Sequence, residues 1–140
     1  MDASLVDKAA REIVERHDAF VAWFTGQGDD ALIETMLRCF APSMVMIGPD
    51  GVTIPHGPLM EGLRGERGRR EPEFAITVDS VEPLWTSPDT VLMTYIERQF
   101  HQGQHTARRS TTLMLRDDDA PNGVVWAHVH ETWLPDGAPT

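Results

Sequence analysis

EPEFAITVDSVEPLWTSPDTVLMTYIERQFHQGQHTARRSTTLMLRDDDAPNGVVWAHVHETWL, residues 71–134, contains four long segments dense in Val, Ile, Thr, Phe, Tyr and Trp. Such residues favour a pleated, half-buried surface, so strands are expected at 73–84, 90–102, 104–116 and 123–134. Turn-forming groups separate them: Ser87-Pro88-Asp89, His101-Gln102-Gly103 and Ala120-Pro121-Asn122-Gly123. None of these connections is long enough for a crossover helix, so successive strands must pair antiparallel.

Upstream the period changes. Leu5, Val6, Ala9, Ile13, His17, Phe20 and Phe24 recur at three- and four-residue steps and mark one apolar stripe of a helix over 4–25. Ser4 or Asp2 caps its start, and Gly26 and Gly28 end it. A second helix is expected at 30–39, capped by Asp29 and stopped by Pro42, with Leu32, Ile33, Met36, Leu37 and Phe40 inward. Two short apolar runs, 44–47 and 52–54, flank Pro49-Asp50-Gly51 and read as a small hairpin. Pro58 opens a short third helix at 58–65, where Leu59 and Leu63 share a face. The tail after Pro135 is expected to be loose.

Helices first and long antiparallel strands last is the α+β order, in one domain spanning 1–140. The long helix must cover one sheet face, and a curved sheet over a helix leaves a conical gap of the kind that holds small ligands. With 12 Lys and Arg against 22 Asp and Glu, the net charge is −10. Nucleic acid and anionic membranes are repelled at that charge, so neither is expected as a partner. The single cysteine, Cys39, excludes an internal disulfide and a cysteine zinc finger, and fits a small buried apolar residue. No apolar run approaches the ~20 residues of a membrane helix. The start MDASLVDKAAREIVE lacks an apolar signal core, so a cytoplasmic location is expected. No phosphate loop, nucleophile elbow or dinucleotide fingerprint is present.

Within the strand region, Arg109-Ser110-Thr111-Thr112-Leu113-Met114-Leu115-Arg116 is followed by an Asp/Gly turn. Val125-Trp126-Ala127-His128-Val129-His130-Glu131-Thr132 comes next. This pattern resembles the nuclear transport factor 2-like superfamily, most of all its SnoaL-like and ketosteroid-isomerase-like branch. That branch includes the association domain of calcium/calmodulin-dependent kinase. The resemblance implies a cone-shaped, cystatin-like α+β barrel: a curved mixed or antiparallel sheet wrapped around a long N-terminal helix. It also implies a pocket inside and a homodimer joined through the outer sheet face. The family pattern sets Trp four residues before the first His, whereas Trp126 lies two before His128. A bulge or register shift accounts for that and leaves open which side of the final strand faces inward. The resemblance carries no catalytic residue onto this chain by itself, because the fold hosts enzymes and assembly domains alike.

Candidate chemistry is therefore taken from the residues. His128 and His130 share one strand face, as a ligand- or proton-handling pair, as two sheet histidines at an interface, or as part of a metal site needing Glu97, His101 or His105. Arg109 alternates with Thr111, Leu113 and Leu115, a set whose two leucines point it inward. An inward Arg109 either forks onto a carboxylate-like ligand or pairs internally with Glu97 or Glu131. Arg108 falls on the opposite, solvated set. Tyr95 and Glu97 share a face with Met93 and Gln99, either as an acid and a base or as satisfied core. His17 interrupts the helix stripe and faces the sheet, as core or as pocket. The candidate catalytic groups are His130, Glu97 and Tyr95, and the candidate ligand contacts are Arg109, His128, His17, Trp126 and Thr111. The expected function is a small-molecule pocket, with cofactor-free acid–base chemistry on a small apolar carbonyl or carboxylate compound as its catalytic form. A non-catalytic binding or oligomerisation domain with a vestigial pocket is the alternative, and a metal enzyme built on His128 and His130 ranks last. No cofactor and no metal are expected.

Overall fold

Ser4 accepts a hydrogen bond from the Asp7 amide at 3.0 Å and starts α1 (Leu5–Phe24). Asp2 lies outside the residues described by the computed structural model, which are 4–140. Gly26, at φ 82°, lets the chain turn away from α1. Asp29 caps α2 (Asp30–Leu37) by accepting from the Leu32 amide at 3.0 Å. β1 (Phe40–Ile47) and β2 (Thr53–Pro55) form the expected small hairpin. α3 (His56–Gly65) begins two residues earlier than expected, with Pro58 inside its first turn, where a missing amide costs nothing. The four long strands follow as β3 (Ala75–Thr86), β4 (Thr90–His101), β5 (Gln104–Arg116) and β6 (Val124–Trp133).

Among the described residues these strands form one sheet in the order β2-β1-β6-β5-β4-β3. β3 to β6 pair antiparallel in sequence, as their short turns require. β1 joins β6 in parallel. The wall is curved and open, with β2 and β3 as its free edges. α1 packs into the hollow against β3, β4 and β6. Ala9, Ile13, Met93, Met114, Val124 and Trp126 meet there and exclude water. Trp23, Ile33 and Met36 make a second cluster that ties α2 to the end of α1.

A polar node locks the closed end of this hollow. Glu12 is fully buried, and its carboxylate accepts from Arg16 Nε and Nη2 at 2.7 and 2.8 Å. It also accepts from Trp126 Nε1 at 2.8 Å and Asn122 Nδ2 at 2.9 Å. A buried charge is tolerable when it is paired and its lone pairs are filled, and here α1, β6 and the preceding turn all supply donors. Beside this node Cys39 is buried, as expected, and burial together with the Glu12 carboxylate pushes its thiol up to about 12.

The tail is not loose. Ala107 donates its amide to the Gly137 carbonyl at 2.9 Å, and Gly137 donates to the Leu134 carbonyl at 2.8 Å, so the tail folds against the start of β5. The apolar content of 135–140 does not foretell this, because backbone hydrogen bonds hold the segment. Among the described residues no helix is long and apolar enough to cross a membrane.

Candidate functional site

The two-residue turn between β4 and β5 sets the geometry of the site. Gln102 and Gly103 both have positive φ, 51° and 77°, and His101 faces Gln104. Counting back from that turn pairs Glu97 with Arg108 and Tyr95 with Ser110. Across the next boundary Ser110 pairs with Glu131. Tyr95, Ser110 and Glu131 therefore form one row across three strands, with Glu97 and Arg108 in the row beside it.

Of these groups, Tyr95, Glu97, Arg108 and Glu131 line a cavity of about 170 Å³. Its walls are otherwise hydrocarbon and aromatic, including Phe20, Phe40, Met44, Leu63, Ile76 and Trp126. His17 reaches it from α1 and is buried, with its ring edge-on to Tyr95 at 5.4 Å and to Phe20 at 5.5 Å.

The charges divide unequally. His17 Nδ1 sits 2.7 Å from the Ile13 carbonyl and Nε2 sits 2.9 Å from Glu97 Oε1. Both partners are acceptors when Glu97 is ionised, so both ring nitrogens carry protons and the ring is an imidazolium. Burial opposes that charge, but the Glu97 carboxylate outweighs it and raises the His17 pKa. Burial likewise opposes ionisation of Glu97, yet His17, Arg108 and Gln99 hold it below the usual carboxylate range. Gln99 Nε2 donates to the second Glu97 oxygen at 2.5 Å.

Glu131 is held loosely. It accepts from Ser110 Oγ at 3.2 Å and from Arg108 Nη1 at 3.4 Å. Burial and the nearby Glu97 charge raise it to about 7, against the opposing pull of Arg108. Burial, with Glu97 and Glu131 nearby, also pushes Tyr95 well above its ordinary value, so its hydroxyl stays a neutral donor. Two carboxylates in one chamber are thus separated in role: one is locked ionised, the other is poised near neutrality.

Several expected site residues lie elsewhere. The structure brings Glu97, Tyr95, His17 and Trp126 to the cavity and leaves Arg109, Thr111, His128 and His130 on the outer sheet face. The inward set on β5 is Arg108, Ser110, Thr112 and Met114, the reverse of the expectation. Leu113 of the Arg109 set lines an outer groove with Leu92 and Trp133, so apolar content does not distinguish the two faces of this strand. On β6, Ala127 is an extra residue between the pairs Met114–Trp126 and Leu113–His128. This bulge lets Trp126, Val129 and Glu131 all face inward while His128 and His130 turn out. The rings of His128 and His130 are 6.4 Å apart, and among the described residues no cluster of three His, Cys, Asp or Glu forms a metal cage.

Arg108 is expected on the solvated face, Glu131 only as an ion-pair partner of Arg109, and Gln99 only as a neighbour of Tyr95 and Glu97; the structure makes all three part of the site. The signal was available: if Tyr95 and Glu97 face inward and the turn is Gln102-Gly103, then Ser110 and Arg108 must face inward too.

The family model described as sucrose-6-phosphate phosphohydrolase C-terminal matches residues 9–135. The chain belongs to that family. A probable sucrose-phosphatase 3a of Arabidopsis thaliana is 25% identical over 134 residues, which covers 92% of this chain and 31% of that protein. This sucrose-phosphatase C-terminal family member therefore spans about a third of the length of the curated relatives it matches. Among solved structures, an NTF-2 like protein of unknown function from Pseudomonas aeruginosa superposes with a TM-score of 0.83 at 28% identity, covering 91% of this chain and 99% of that one. The S. rosetta CaMKII hub gives 0.74 at 16% identity, covering 96% and 100%. The fold of this family member is thus nuclear transport factor 2-like, as its strand pattern implies.

Proposed function

We propose that the cavity binds one compact, mainly apolar molecule of single-ring size bearing one carbonyl-type oxygen, and that Glu131 exchanges a proton with it. One observation carries this reading: a hydrocarbon chamber ends in two carboxylates of opposite protonation tendency, with a neutral phenol beside them. A cavity of about 150 Å³ accommodates benzene, so about 170 Å³ suits a single ring and not a fused-ring compound. The sucrose in the relatives' names fits this chamber poorly, because a disaccharide is larger and hydroxylated on every side.

In the catalytic form of this reading, Glu131 as carboxylate takes a proton from the carbon next to the ligand carbonyl. The Tyr95 hydroxyl and the Arg108 guanidinium donate to the oxygen on which charge develops, and Glu131 returns the proton at another carbon. A base with a pKa near the working pH balances availability against strength. Glu97 and His17 share the chamber's charge with Glu131: the Glu97 carboxylate helps raise Glu131, and Glu131 in turn helps raise His17.

The test uses cyclohex-2-enone and phenol as single-ring probes. Amide shifts at Tyr95, Ser110 and Glu131 on probe addition, with deuterium entering the enone from heavy water, are expected for the wild type. Glu131→Gln is expected to keep the shifts and lose at least tenfold of the exchange. Absence of binding by either probe refutes the pocket; equal exchange in the variant refutes the role of Glu131.

A second reading concerns the outer face. Trp85 is 56% exposed and packs in register with Leu92, which pairs with Leu113. This apolar row is suited to a second copy of the chain, and a homodimer joined there is compatible with the pocket reading.

A further inference from the structure

Arg108 does more than face Glu131. Its side chain and that of Gln99 line both the inner chamber and a separate notch outside it, of about 460 Å³. The guanidinium lies over the Trp133 ring at 4.6 Å, and its contact with Glu131 is long at 3.4 Å. Its Nε is buried with no hydrogen-bond partner, the only such buried side-chain polar atom among the described residues. A buried charged donor with no acceptor keeps its full desolvation penalty, so the arrangement is incomplete without an acceptor.

The notch differs chemically from the chamber. Gln99, His101, Gln104, Thr106 and Trp133 line it, and no carboxylate does, in a chain carrying 22 Asp and Glu. Amide and hydroxyl groups both donate and accept, as recognition of uncharged hydroxyls requires. Gln99 spends its amide nitrogen on Glu97, which leaves its carbonyl oxygen for a hydroxyl donor. The C-terminal tail closes the far side: Pro139 lines the notch, Gly137 is hydrogen-bonded to Ala107, and Gln104 contacts Thr140.

We propose that the notch is a second subsite, which receives an uncharged, hydroxyl-rich end of the ligand. The ligand is then a two-part molecule: a single apolar ring inside, an oxygen accepting from Arg108 Nε at the partition, and a polyol or sugar-like group in the notch. Arg108 and Gln99 position the junction. This rests on the pocket reading for its inner half and adds the outer half.

Phenyl β-glucoside, phenol and methyl β-glucoside are the probes, each titrated against the full chain by calorimetry and amide shifts. Phenyl glucoside is expected to bind at least tenfold tighter than phenol, with added shifts at 99–108 and 133–139. Gln104→Ala and Thr106→Val, neither of which lines the inner chamber, are expected to remove that advantage while phenol affinity stays within twofold. Thr106→Ser should restore it, which separates loss of a hydroxyl from loss of fold. If phenol binds and the glucoside binds no tighter, or if its advantage survives both substitutions, the notch proposal is wrong and the pocket reading stands. If neither phenol nor the glucoside binds, both are wrong.

Discussion

Glu131→Gln should match the wild type only below the ordinary carboxylate value of 4.5 and grow more stable than it as pH rises. In the folded chain Glu131 holds its proton up to about 7, against an ordinary value of 4.5. Between those limits the unfolded chain has released a proton that the folded chain keeps, so rising pH favours unfolding. The stabilisation is complete below 4.5 and is lost as pH rises through the folded value. At about 1.4 kcal/mol per pH unit the full effect is about 3 kcal/mol, of which roughly 2–3 falls between pH 5 and pH 8. Glutamine is uncharged throughout and resembles the protonated acid, so the variant lacks this dependence. The Glu131 charge also helps raise His17, so its removal alters that cation's own pH dependence and the difference reports the coupled cluster. Urea melts of the two proteins at pH 5, 6, 7 and 8 give the difference directly. It should grow steadily in favour of the variant; a flat difference, or one that grows toward acid, would show that Glu131 is ionised in the folded state and that Arg108 and Ser110 outweigh its burial.

Other substitutions probe the remaining contacts. Glu12→Ala strands Arg16 and leaves the Trp126 and Asn122 donors unmet, so it should cost about 3–5 kcal/mol in urea midpoints; a loss under about 1 kcal/mol would mean the node is hydrated. His17→Leu removes the cation that holds Glu97 ionised, and carboxyl NMR titration should then place Glu97 above its ordinary range, whereas a value still below it would assign the effect to Arg108 and Gln99. Arg109→Ala should leave phenol binding unchanged, while Arg108→Met should alter it, and the opposite ranking would contradict the observed facing of β5. Trp85→Asp should lower the sedimentation mass of the wild-type assembly; a wild type that is strictly monomeric at 100 µM-scale loading would remove the homodimer reading.

Secondary structure was open to reading because each element signals itself locally. The stripe from Leu5 to Phe24 has a helical period, and the turns at Ser87-Pro88-Asp89 and Gln102-Gly103 carry residues that few other conformations favour. The polar face of the site misled for a physical reason. Binary patterning assumes a hydrocarbon interior, and here the interior row of β5 is Arg, Ser and Thr because a chamber and paired charges occupy it. The apolar row was the outer one.

The residues alone determined the element order, the antiparallel run of four strands and the presence of His17, Tyr95 and Glu97 on inward-facing positions, since period and turn chemistry act over a few neighbours. Only the tertiary structure decided that β1 lies parallel to β6, that Ala127 bulges, and that Glu131 and Arg108 come to share a chamber with a histidine from the first helix. Those facts depend on contacts between segments some eighty residues apart, such as His17 with Glu97, and no local pattern encodes the sum of charges that such a meeting creates.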